Sequence, residues 1–134
     1  MSNKIDKCAC IHHIALSASD FDKTVKFYKE SLGMTPYLSW GEGDERAIML
    51  DIGGGAYVEV FAGGKPNPGE GAYVHFAILV DDVDAVFKAA VDGGAEVRTE
   101  PMDFLIEGNE KKQLVRIAFV KGPDGEVIEF FKEL

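Results

Sequence analysis

The chain has 134 residues, 46% of them hydrophobic and 28% charged, with a formal net charge of −9. That length suits one domain, or two small halves sharing a core. The acidic balance argues against nucleic acid or an anionic membrane as partner, because both call for basic patches, and no apolar run approaches the ~20 residues that would span a bilayer.

The N-terminal stretch MSNKIDKCAC lacks the apolar stretch of a signal peptide. The expectation is therefore a cytoplasmic protein. Cys8 and Cys10, one residue apart, read as free thiols of a reducing compartment. The alternative is a soft-metal site built from Cys8, Cys10 and His12.

Residues 11–18 alternate like a strand. A helix follows, with Phe21, Val25, Tyr28 and Leu32 along one stripe, Ser19 or Asp20 as cap, and Gly33 as its end. Strands are expected near 35–40, 46–52 and 56–62. The connector GGKPNPGEG (63–71) breaks regular structure. A strand at 73–80 then leads to a helix with Val83, Val86, Phe87 and Ala90 on one face, stopped by Gly93 and Gly94. Further strands are expected near 95–99, 114–120 and 126–132. The polar stretch DFLIEGNEKK (103–112) reads as a lid or as a flexible surface loop.

This order is β-α-β-β-β, twice, and the residues repeat with it. IHHIALSASDFD (11–22) aligns with YVHFAILVDDVD (73–84): His13 with His75, Ala15 with Ala77, Asp20 with Asp82 and Asp22 with Asp84. GAYVEVF (55–61) aligns with GEVIEFF (125–131), Glu59 with Glu129. The predicted fold is α+β, with two tandem βαβββ modules (about 11–62 and 73–132) joined by a linker at 63–72.

Each glutamate sits inside an apolar strand, where an unpaired carboxylate is unfavourable. Period-two alternation puts His13 and Ala15 on one face of the first strand, and His75 and Ala77 on one face of its counterpart. The face opposite each helix then carries His13, Glu59, His75 and Glu129. Two neutral imidazoles and two carboxylates suit a divalent first-row metal and balance its charge.

On these residues the sequence resembles the vicinal oxygen chelate superfamily, which includes the glyoxalase and bleomycin resistance proteins and dioxygenases, and within it most closely glyoxalase I. The carrying segments are HIALSASDFDKTVKFYKESLGM, YVEVF, HFAILVDDVDA and AFVKGPDGEVIEFF, from both halves of the chain. The resemblance implies one cup-shaped domain of paired modules holding Ni, Zn, Co, Mn or Fe on His13, Glu59, His75 and Glu129. It implies a lyase or isomerase that removes a proton alpha to a carbonyl through a metal-bound enediolate. Glu129 would be the base, with Glu59 its possible counterpart. It also implies a small-molecule substrate and a homodimer. Two positions depart from bacterial glyoxalase I: Ser17 stands where an arginine helps hold glutathione, and Gly63 where an asparagine does. Alternatives within the superfamily are an acyl-thioester epimerase, a dioxygenase, or a metal-free drug-binding protein.

Substrate anchors are less specific. Arg116, near Arg98, Lys111 and Lys112 in sequence, could meet a substrate carboxylate or simply be solvated. Trp40 could line the pocket or pack.

Overall fold

The computed structural model describes residues 11–66, 75–109 and 111–134. Cys8 and Cys10, and the start of the strand expected at 73–80, lie outside them. The first module runs β1 (His13–Ser17), α1 (Phe21–Lys26), β2 (Thr35–Trp40), β3 (Ala47–Gly53) and β4 (Ala56–Phe61). The second runs β5 (Phe76–Leu79), α2 (Val83–Asp92), β6 (Glu96–Glu107), β7 (Lys112–Lys121) and β8 (Val127–Glu133). Each forms a four-stranded mixed sheet, in the orders β1-β4-β3-β2 and β5-β8-β7-β6. In both sheets the first strand pairs parallel with the last, aligning Ala15 with Glu59 and Ala77 with Glu129.

The repeat extends to local chemistry. Asp20 and Asp82 are both N-caps, accepting from Lys23 N at 3.1 Å and Ala85 N at 3.0 Å. Gly55 and Gly125, which open the two matching motifs, both adopt left-handed backbone (φ 89° and 83°). α1 does not continue as a regular α-helix. Residues Phe27–Ser31 form a π-helical turn, closed by Leu32 N donating to Phe27 O at 3.2 Å. The wider turn buries Phe27 and Tyr28 side by side, their rings edge-on at 5.1 Å.

One core serves both modules. Tyr28, Leu50, Val58 and Val60 from the first join Val83, Val120, Ile128 and Phe130 from the second, all 0–2% exposed. Each large apolar side chain buried this way contributes roughly 1.5–3 kcal/mol. The helical layers meet where Gly93, ending α2, packs against the side chain of Ser31. Thr24 Oγ1, buried in α1, donates to Asp124 Oδ2 in the turn between β7 and β8 at 2.7 Å. Ser19 N donates to Asp124 Oδ1 at 3.1 Å.

The expected loop at 103–112 is corrected. Most of it is strand: β6 has 12 residues and β7 has 10, whereas β2 and β3 have 6 and 7. The extra residues of the second half lengthen this hairpin. The acidic and lysine positions of 103–112 hid a β-forming run, Met102, Phe104, Leu105 and Ile106, that pairs onto Ile117, Val115, Leu114 and Gln113. Pro101 is tolerated because it falls where the register shifts between Thr99 and Met102.

Candidate active site: two histidine–glutamate pairs

The strand face opposite each helix carries one imidazole and one carboxylate. His13 Nε2 lies 3.8 Å from Glu59 Oε1, and His75 Nε2 lies 3.2 Å from Glu129 Oε1. β1 against β4, and β5 against β8, place them. The parallel register sets Ala15 beside Glu59 and Ala77 beside Glu129, so a methyl rather than a bulky group flanks each carboxylate.

Among the described residues the buried polar side chains are Thr24, Glu59 and Glu129, the two glutamates 8% and 9% exposed. Thr24 is satisfied by Asp124. Among the described residues the glutamates' partners are their histidines, 40% (His13) and 36% (His75) exposed on the side chain. Burial pushes the Glu129 carboxyl above its ordinary range, and His75 opposes that rise. An acidic group buried beside a half-open imidazole is the arrangement expected where a cation or a proton is handled.

The two pairs do not meet within one chain. Val58 and Val60, which flank Glu59, and Ile128 and Phe130, which flank Glu129, point into the shared core. The glutamates therefore face away from it. Among the described residues, no three His, Cys, Asp or Glu gather as a metal-binding group. Each module brings together one imidazole nitrogen and one carboxylate oxygen.

Around His13 and Glu59 the open face is aromatic. Trp40 lies beside Ala47, whose register partner is Phe61, and the Trp40 and Phe61 rings meet edge-on at 6.3 Å. Trp40 therefore shares the face of Glu59 and stays 45% exposed. Tyr37 stacks on Tyr57 at 4.8 Å. Around His75, the ring of Phe119 stands edge-on at 5.3 Å, and Phe119 is the register partner of Glu129.

Arg116 is placed elsewhere. It shares a strand face with Ala118 and Val120, both 0% exposed, on the helix side of its sheet. Its Nε and Nη2 donate to both carboxylate oxygens of Asp84 at 2.6 and 2.8 Å, and Nη1 to Asp103 at 2.9 Å. In the first module Arg46 makes a weaker counterpart, a single contact from Nη1 to Asp22 Oδ1 at 3.4 Å. Asp22 and Asp84 are matched repeat positions, and so are Arg46 and Arg116 in the frame that aligns Glu59 with Glu129. Both arginines tie a strand to the first turn of a helix. Carrying the repeat alignment into the third strand would have found that role from sequence. His12, named in the sequence only alongside Cys8 and Cys10, instead meets His13, its Nδ1 2.9 Å from His13 Nδ1.

A family model described as Glyoxalase/Bleomycin resistance protein/Dioxygenase superfamily matches residues 10–130. A relative from Vibrio parahaemolyticus named "Probable lactoylglutathione lyase" is 36% identical over 130 residues, covering 91% of this chain and 89% of its own. The "Lactoylglutathione lyase" of Haemophilus influenzae is 32% identical over 137 residues, with 91% of both chains covered. The structure of a glyoxalase/bleomycin resistance protein/dioxygenase from Alicyclobacillus acidocaldarius superposes with a TM-score of 0.68 at 22% identity, covering 100% of this chain and 96% of that one. That of the trypanothione-dependent glyoxalase I of Leishmania major superposes with a TM-score of 0.69 at 24% identity, covering 92% and 86%. These likenesses establish the fold.

Proposed function

The chain belongs to the Glyoxalase/Bleomycin resistance protein/Dioxygenase superfamily, and from that premise we propose that it is a divalent-metal-dependent lyase or isomerase of glyoxalase I type. The observation that carries this reading is the pair of buried glutamates, each set beside a histidine on the open face of its module. The relatives named lactoylglutathione lyase support it.

The donor chemistry fits a metal. Each pair offers an imidazole nitrogen and a carboxylate oxygen, and two pairs together make a charge-balanced set of four. His13, Glu59, His75 and Glu129 would hold the ion. Because the two pairs of one chain stay apart, the first module of one copy would meet the second module of another, giving a two-fold dimer with two sites. A divalent ion bound there supplies Lewis-acid polarisation of two neighbouring substrate oxygens.

The chain's own residues do the rest. Glu129 takes the proton from the carbon alpha to the carbonyl, its carboxylate sheltered from water and oriented by His75. Glu59 flanks the substrate from the other module and can return a proton on the opposite side. Trp40 and Phe61 exclude water and offer an apolar wall.

The thiol partner is proposed to differ from glutathione. Ser17 and Gly63 replace the two polar side chains expected to hold it. At Gly63 the backbone is left-handed (φ 78°), and a Cβ there would come within 2.9 Å of Asp44 O, so the position has little room for a longer side chain. The test is direct. Protein purified without added metal should carry one divalent ion per pair of half-sites. It should also isomerise adducts of an α-keto aldehyde with one of a panel of thiols. Metal-free protein inert to chelators and to every adduct would overturn the reading.

A further inference from the structure

His12 stands one residue before β1, and its ring does not swing away from His13 as strand alternation would require. The two rings meet edge-on, 87° between planes and 5.2 Å between centroids, with Nδ1 to Nδ1 at 2.9 Å. The contact is supported from behind. Tyr57 N donates to His12 O at 2.9 Å, the His12 ring leans on Tyr57 at 4.9 Å, and Tyr57 stacks on Tyr37 at 4.8 Å.

Two ring nitrogens this close share one proton. Two N–H groups would repel, as would two lone pairs. The other nitrogen of His13, Nε2, faces Glu59. To act as a ligand, Nε2 must keep its lone pair, so the proton of a neutral His13 must sit on Nδ1. That N–H then points at His12 Nδ1, which accepts it.

We propose that His12 is a positioning residue that accepts the Nδ1–H of His13 and so leaves the Nε2 lone pair available, on the face His13 shares with Glu59, for a cation held by both side chains. The inference rests on the metal-site reading above, and it deepens that reading by giving one ligand a partner that sets its tautomer. Such partners of ligating histidines typically change metal affinity by about 10- to 100-fold when removed. The second module is built differently: the residue before His75 is Val74, which has no acceptor in its side chain, and the His75 ring is braced by Phe119.

The test uses the full chain with ¹⁵N-labelled histidine, metal-free, at a pH above the imidazole range. Its readouts are the imidazole ¹⁵N shifts and the zinc affinity by chelator competition. In the wild type, His13 should be the Nδ1–H tautomer. His12→Phe keeps an aromatic ring against Tyr57 but offers no acceptor. It should shift His13 toward the Nε2–H form and weaken zinc binding about tenfold. His12→Asn, whose side-chain oxygen can stand in for Nδ1, should restore both. An unchanged His13 tautomer in His12→Phe overturns the proposal, even if affinity falls, because that result assigns His12 a structural role only. Failure of His12→Asn to rescue overturns it as well. If the wild type binds none of zinc, nickel, cobalt, manganese or iron(II), the functional reading fails, and the ¹⁵N shifts still decide the role of His12.

Discussion

Thr24 Oγ1 donates to Asp124 Oδ2 at 2.7 Å, and this buried bond joins the first helix of one module to the last turn of the other. Both modules therefore turn their helical sides toward each other, and both histidine–glutamate pairs are left facing away from the shared core. The consequences for activity and stability can be measured.

Sites assembled from two chains should complement. One chain carries His13→Ala with Glu59→Gln; the other carries His75→Ala with Glu129→Gln. Each alone should be inactive. Refolded together in equal amounts, half of the proposed dimers would be mixed and each mixed dimer would regain one intact site, so about a quarter of wild-type activity should return. No recovery, with mixed dimers confirmed by mass, would place the site within one chain.

Glu129→Gln should cut turnover by about 10²- to 10⁴-fold, the contribution of a positioned general base. Its melting temperature should hold or rise, because a carboxylate that burial makes harder to ionise no longer has to be desolvated. Steady-state kinetics and thermal unfolding separate the two effects. A large drop in melting temperature would make Glu129 structural.

Glu126 should impose a pH dependence on stability. Burial pushes its carboxyl from an ordinary 4.5 up to about 8, against the opposing hydrogen bond from Asp124 N at 3.2 Å. Among the described residues, its Oε2 and the hydroxyl of Tyr28 are both buried with no hydrogen-bond partner. The folded chain thus keeps a proton that the unfolded chain releases above about 4.5. This contribution is complete below that value, declines as pH rises, and is gone above about 8, a loss on the order of a few kcal/mol. Urea unfolding across that range should show the decline, and Glu126→Gln should flatten it. Parallel profiles for the two proteins would rule Glu126 out as the cause.

Gly93→Ala should loosen the junction between modules. A Cβ at Gly93 would strike both the hydroxyl and the Cβ of Ser31. Overpacking of this kind costs about 1–3 kcal/mol. Ser31→Gly in the same chain should recover much of the loss, whereas Ser31→Ala should not, since the clashing Cβ remains. Denaturant midpoints for the three variants decide the matter.

Much of the fold was legible because the modules repeat. The alternation around His13 and His75, the glycine-led motifs ending in Glu59 and Glu129, and the capping positions Asp20 and Asp82 are all local signals, and the backbone follows them. Three features were not legible. The charges of 103–112 concealed a strand whose stability comes from pairing with β7. Arg116 looked available because Asp84, its partner, is remote in sequence. His12 has no counterpart in the repeat, where Val74 stands at the matching position, so nothing in the repeat pointed to its contact with His13.

The residue order alone determined that there are two like units, and that each presents one imidazole and one carboxylate away from its helix. Which residues share a face is set by strand period, a property of a few adjacent peptide units. Only the tertiary structure decided that the units pack through their helical sides, that the two pairs of one chain stay apart, and that Arg116 serves a helix. Those outcomes depend on which distant apolar surfaces bury one another, and no short window of sequence contains both surfaces.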